Sequence, residues 1–421
     1  MILRIPSFVL FLLATSAFAD SIAFVGGEVH PVGRAPIPNG TVIVEGERIV
    51  AVGADLALPE GARVIGCKGR WITPGLIAAP TQLGAVEISM SAGSNDSTYV
   101  SLEPVRAALR IKDAVDPRST LFAITRQHGI TSAVVAPSGG LVAGQSAWID
   151  LIDSSTGPLP SASGPIAMHA ALGDAGALAV VGTRAVAALR LRELLEDTRA
   201  YARDRAAYQK NAIRKFSATR LDLEAMELVI ARKIPLAVHV SRASDIESVL
   251  EFGDAERIRL VLVGADEGWV VADAIARAGV PVVVNPLDNL PASIETRLSR
   301  ADNVALLARA GVVVAISSGD SHNARVLRQL LGNAVRAGLP HEAALSAGTL
   351  GPASAFGLAD RLGTLDRGKL ANLVVWTGDP FEASSAAETV VIRGKVQPLG
   401  NRQTRLRDKY LRRLGLGGPR S

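Results

Sequence analysis

The residues best suited to chemistry are a few histidines and carboxylates, each at the end of an apolar run. His239 closes Pro235-Leu236-Ala237-Val238-His239, and Asp320 and His322 follow the run Val312–Ser317. Two imidazoles and a carboxylate are a set of three donors of the kind that holds a catalytic zinc, with a fourth position open for water. On this reading Asp320 is both metal ligand and catalytic carboxylate, and Gln82 or Glu87 could approach from an earlier strand. The same residues also have a structural reading. Asp320-Ser321-His322-Asn323 is a good helix cap, and His239 can be a hydrogen-bonded histidine with no metal. His169 ends another strand-like segment, Ile166-Ala167-Met168-His169, and could face the same site. Arg242 and Asp245 follow His239; they could bind a carboxylate on the substrate or pair with each other. No Gly-x-Ser-x-Gly elbow, phosphate loop or dinucleotide fingerprint follows a strand. The single Cys67 can build neither an intramolecular disulfide nor a thiolate metal site.

Positioning such residues requires a scaffold that gathers strand ends. Eight strand-like runs are present: Ile72–Ala78, Ile130–Ala136, Ser146–Ile152, Pro165–His169, Pro235–Val240, Ile258–Val263, Val280–Val284 and Val312–Ser317. Helical stretches lie between them, among them Thr183–Lys210, Leu221–Ala231, Ala243–Phe252, Val270–Ala278 and Asp302–Ala310. Alternation of this kind predicts an α/β chain, and eight strands favour a (β/α)8 TIM-like barrel, whose functional residues sit at the carboxyl ends of its strands. Hydrophobic residues make up 48% of the chain but aromatics only 4%, a core of Ala, Val, Leu and Ile that suits a parallel sheet covered on both faces. The two ends read differently. Ser21–Ile65 is a series of short apolar runs and turns, and Leu373–Trp376 and Thr389–Ile392 have the same texture. The expected organisation is a small β-sandwich composed of 20–70 and 365–400 around a barrel over 71–364.

The stretch Trp71–Gly84, WITPGLIAAPTQLG, resembles the first barrel strand of the amidohydrolase superfamily, whose signature is Pro-Gly-Leu-Ile-Asp-x-His-x-His. Pro74, Gly75, Leu76 and Ile77 are in place, but Ala78 stands for the Asp, and Pro80 and Gln82 stand for the two histidines. Gly129-Ile130-Thr131-Ser132 with Gly144-Gln145-Ser146-Ala147 looks like the second-strand region of imidazolonepropionase-like members. Gly368-Lys369-Leu370-Ala371-Asn372 is similar to the return into the terminal sandwich, with Asn372 where Asp is usual. The resemblance implies metal-activated water and hydrolysis of a C–N bond in a small cyclic amide, amidine or peptide-like substrate. It implies one zinc or other divalent ion held by His239 and Asp320. His322 matches no ligand of the superfamily, and strand six ends in Val263-Gly264-Ala265-Asp266-Glu267 with no histidine. Two functions therefore stay open. One is a hydrolase with a degraded metal site, using Gln82 and Arg242 for substrate. The other is an inactive barrel without metal that binds a ligand or pairs with an active homologue.

Charge and patterning narrow the partners. Arg4, the apolar run Ile5–Ala14 and Ala17-Phe18-Ala19 read as a signal peptide over 1–19, hence a secreted or periplasmic protein. The run is short for a membrane span. The formal charge of +5 is concentrated after Asn401, where seven basic residues face Asp408 alone, leaving the body from Asp20 to Gly400 at −2. The expectation for this tail is a terminal helix, Arg405–Leu414, with a solvated face and no nucleic-acid partner. A small molecule is the expected ligand, with self-association or pairing to a homologous amidohydrolase as the expected protein contact.

Overall fold

A computed structural model describes residues 21–98, 103–157 and 162–416. The expected signal peptide, 1–19, and the end of the basic tail, 417–421, lie outside the described residues. Seven strands follow one another around a common axis: Leu76–Thr81, Ile130–Val135, Met168–Ala171, Leu236–Val240, Leu260–Gly264, Val282–Val284 and Val314–Ile316. Neighbours pair in parallel except between the second and third. There the chain doubles back as Val142–Gln145 and Ala147–Asp150, antiparallel to the strands on either side. The expected parallel strand Ser146–Ile152 is thus corrected to one arm of a kinked, antiparallel stave. Its connection, 136–141, is too short for the dozen or more residues of a parallel crossover.

The last seam, between Val314–Ile316 and Leu76–Thr81, carries no ladder among the described residues. Two hydrogen bonds span it instead, and a third ties the first strand to the end of the helix His341–Ala347. Ser317 Oγ donates to Pro80 O at 2.7 Å, Thr81 Oγ1 to Asp320 O at 2.7 Å, and Ile77 N to Gly348 O at 2.9 Å. Pro80 has no N–H to give, so a side chain from the opposite edge makes the link. The architecture is a TIM-barrel-like α/β fold.

Strand periodicity decides what faces inward. Ile77, Ala79, Val134, Trp148, Ala167, Ala237, Val261, Val283 and Ala315 form the interior cluster, closed below by Phe356, Leu358 and Leu362. Their neighbours Leu76, Ala78, Leu236, Val238 and Leu262 pack outward against the helices. Small interior side chains on most staves leave room for the one large ring, Trp148.

The strands of the two chain ends hydrogen-bond into one eight-stranded sheet. Trp71–Pro74 joins it, antiparallel to Leu373–Trp376, so the expected strand Ile72–Ala78 is split at Gly75 between two sheets. A Cβ at Gly75 would lie 2.2 Å from Thr131 Oγ1, which explains the glycine at the crossing. Alternate residues of Leu373–Trp376 face two cores. Leu373 and Val375 pack with Ile22, Phe24 and Val42, whereas Val374 and Trp376 pack toward the barrel. Trp376 is fully buried and its Nε1–H donates to Thr73 Oγ1 at 2.9 Å. Below it lies a buried polar junction. Asp150 accepts from Ser132 Oγ, Asn372 Nδ2 and Arg393 Nε, and Asn372 Oδ1 accepts from Arg393 N. Asn372 needs its amide donor here, because an aspartate would set a second carboxylate against Asp150.

Candidate functional site

A cavity of about 260 Å³ opens at the carboxyl ends of the parallel strands. Its polar lining includes Gln82, Ser138, His239, Asn285, Asp288 and Ser318, each just past or at the end of a stave. This is the end at which barrels of this type carry function. Gln82 Nε2 donates to Ser138 Oγ at 3.4 Å, which ties the first and second strand ends together. Asp288 is the one carboxylic acid in the lining, and burial pushes its pKa up. Burial does the same to Asp266, with Asp288 a further cause.

His239 lines the cavity, and the fully buried His169 lies behind it. Ala167 and His169, like Ala237 and His239, are two residues apart and so share the inward face. The register pairs His169 with Ala237, which sets His239 one step nearer the mouth. Burial holds both rings neutral, His169 pushed down to about 3 and His239 to about 4, the neighbouring His239 adding to the shift on His169. His169 Nδ1 and His239 Nε2 lie 3.5 Å apart, a long contact with one proton between two rings. His169 Nε2 is buried and has no partner among the described residues, while its ring stacks on Phe356.

The network assigns that proton. Were His239 the donor, His169 would carry its own proton on Nε2, a buried N–H with no acceptor. Orphaned buried donors are rarer than orphaned acceptors. The arrangement that orphans no buried donor among the described residues has His169 Nδ1–H donating to His239 Nε2 and His239 protonated on Nδ1. In this state neither nitrogen of His239 offers a lone pair to a metal. Long-range ¹H–¹⁵N spectra of histidine-labelled protein are expected to show His239 as the Nδ1–H tautomer in the native chain and as Nε2–H in His169→Phe. Finding Nε2–H in the native chain would refute the assignment.

The expected metal set is not assembled. Among the described residues, no group of three or more His, Cys, Asp or Glu is placed to hold a metal ion. Asp320 turns its carboxylate onto His322 N at 2.8 Å and Asn323 Nδ2 at 2.9 Å, capping the turn that follows. His322 is exposed, at the start of that turn. Glu87 caps the helix Thr120–Gln127, accepting from Ser119 Oγ and from Thr120. The structural reading of Asp320 thus accounts for its contacts, and the donors present do not fit a zinc. Gln82 lines the cavity as expected, and Pro80 is beside it. Arg242 is outside the lining and precedes the helix Ala243–Glu256; Asp245 pairs with Arg184 at 3.2 Å, not with Arg242. Cys67 is buried, which pushes its thiol up to about 11 and makes it inert.

Asn285, Asp288 and the role of Ser138 were not legible in the residue pattern. A usable signal exists for the first two: Asn285-Pro286-Leu287-Asp288 begins one residue after an apolar strand, where barrel-mouth residues belong. The pairing of His169 with His239 had no sequence signal, since 69 residues separate them.

Residues 206–397 match the family model described as the amidohydrolase family. Over 393 residues the chain is 23% identical to amidohydrolase tasK of Hapsidospora irregularis, which spans 85% of this chain but only 40% of that protein. It is 24% identical over 403 residues to an imidazolonepropionase of Acidiphilium cryptum (83% of this chain, 90% of the relative). Among solved structures, an amidohydrolase from Thermotoga maritima MSB8 superposes with a TM-score of 0.80 at 26% identity, covering 89% of this chain and 99% of that one.

Proposed function

Because this chain belongs to the amidohydrolase superfamily, a group of hydrolases, we propose that the barrel-mouth cavity takes up a small cyclic amide or peptide-like substrate and that the reaction there is hydrolysis of a non-peptide C–N bond. The observation that carries this reading is the lining itself. A cavity of about 260 Å³ with amide, hydroxyl and imidazole groups and one carboxyl accepts a compact molecule of neutral donors and acceptors. His239 Nδ1–H is the donor for the substrate carbonyl oxygen, where negative charge grows as water adds to the carbon. Asp288, whose raised pKa suits proton exchange, gives a proton to the departing nitrogen and recovers one from the attacking water. No step is drawn through a metal, since the donors do not fit one.

A second reading rests on the same missing donor group: a barrel that binds the same ligand without turning it over, as a ligand-binding protein or the structural partner of an active homologue. Calorimetric titration and turnover assays with a panel of cyclic amides, ureides and N-acyl dipeptides separate the two. Under the hydrolase reading, turnover survives chelator treatment and falls about 10²-fold in Asp288→Asn with little change in KM. Binding without turnover selects the second reading. Neither binding nor turnover across the panel removes both, and stoichiometric zinc lost on His239→Ala would overturn the metal-free assignment.

A further inference from the structure

We propose that the C-terminal helix Arg402–Arg413 docks this protein onto an anionic phospholipid surface. The helix is well started, with Asn401 and Thr404 forming a reciprocal cap and Asn401 Nδ2 fixed to Gln127 Oε1. It is held to the body along one side only. Thr404, Asp408 and Leu411 are half-buried, and no residue of the helix is buried. The opposite side carries Leu406, Tyr410 and Leu414 at successive spacings of four, 41%, 53% and 70% exposed. Residues at that spacing form one stripe, so apolar side chains line up facing away from the protein. Arg402, Lys409 and Arg413 border the stripe on one flank and Arg407 on the other; Asp408 is the one acidic residue of the helix. A solvated helix needs no such stripe. A helix lying at a membrane interface does, with leucines and an aromatic in the acyl boundary and cations at headgroup level.

A second feature adjoins it. A cavity of about 260 Å³ at the root of the helix is lined by Arg118, Arg402 and Arg405. Its one carboxylate, Asp153, is already engaged by Arg126 at 2.7 Å. The three arginines leave the cavity with net positive charge and room for a headgroup phosphate. An outward stripe of leucine and tyrosine has no counterpart on a nucleic-acid backbone, which is why the lipid surface is favoured. Among the described residues no helix is long and apolar enough to cross a membrane, so the contact is one of lying on the surface.

Co-sedimentation of the full chain with phosphatidylglycerol or phosphatidylcholine vesicles tests this. At low salt, affinity for phosphatidylglycerol is expected to exceed that for phosphatidylcholine at least tenfold. Each arginine among Arg402, Arg405 and Arg413 changed to Gln should weaken it about fivefold. Leu406→Asp with Tyr410→Asp should abolish it, while the thermal transition of the barrel stays in place. Equal affinity for both vesicles, or insensitivity to these substitutions, overturns the proposal. So does tighter binding to duplex DNA than to phosphatidylglycerol, or a dimer abolished by the Asp variants with no lipid binding.

Discussion

The stability of this protein is expected to fall steeply between pH 6.5 and pH 4.5, with His169 and His239 as the chief cause. Both are held neutral inside the barrel, their pKa values pushed down by burial to about 3 and about 4. An imidazole in the unfolded chain titrates near 6.5. Over the interval between, the unfolded chain takes up protons that the folded one refuses. The contribution of the neutral pair is complete above pH 6.5 and is lost as the pH falls toward the folded values. Each ring can contribute up to about 1.4 kcal/mol per pH unit. The pair together then costs on the order of a few kcal/mol by pH 4.5, the smaller share from His239, which lines the open cavity. This is a large part of a typical net stability of about 5–15 kcal/mol. Asp266 and Asp288, pushed up by burial, act in the opposite sense. They are common to the native chain and to His169→Phe, a substitution that keeps an aromatic ring against Phe356. Urea unfolding at pH 7, 5.5 and 4.5 should therefore show a loss about half as steep in His169→Phe. Equal slopes in the two proteins would mean that His169 is not the buried neutral group described.

Asp150→Ala is expected to destabilise the fold by about 3–5 kcal/mol, the cost of breaking a buried ion pair from one side. Asp150 is 5% exposed and takes Arg393 Nε at 2.7 Å, Ser132 Oγ at 2.8 Å and Asn372 Nδ2 at 3.1 Å. Its removal leaves the half-buried Arg393 guanidinium with Glu47 at 3.4 Å as its remaining carboxylate and takes the buried acceptor from Ser132 Oγ, at the point where the barrel meets the terminal sheet. Asp150→Asn keeps part of the set and should cost less. Urea midpoints for the two variants check this, and an alanine variant within 1 kcal/mol of the native chain would show that water replaces the carboxylate.

Apart from the split first strand and the antiparallel third, most of the strand and helix order was legible in the chain. The expected helix Ala243–Phe252 is Ala243–Glu256, and the expected strand Pro235–Val240 is Leu236–Val240. Such runs carry their own periodicity, and burial of one face against a neighbour is enough to specify them. The inward direction of His239 follows from the same local period of two. The kinked antiparallel stave was not legible. The short connection excludes a parallel crossover, but where the returning arm kinks and which edges its two halves join is set by the neighbouring strands, not by its own residues.

What the sequence determined by itself is the scaffold: the apolar alternation that builds the staves and the Pro74-Gly75 crossing, with Pro80 and Gln82 at the end of the strand that follows it. What only the tertiary structure decided is the state of the remaining site. It brings His169 Nδ1 within 3.5 Å of His239 Nε2 across two strands, so that the two imidazoles face each other. It also turns Asp320 onto its own following turn. Both outcomes depend on where a side chain's nearest partner lies in space. A residue's type and spacing fix what it can donate or accept, but the packed barrel fixes which partner it meets.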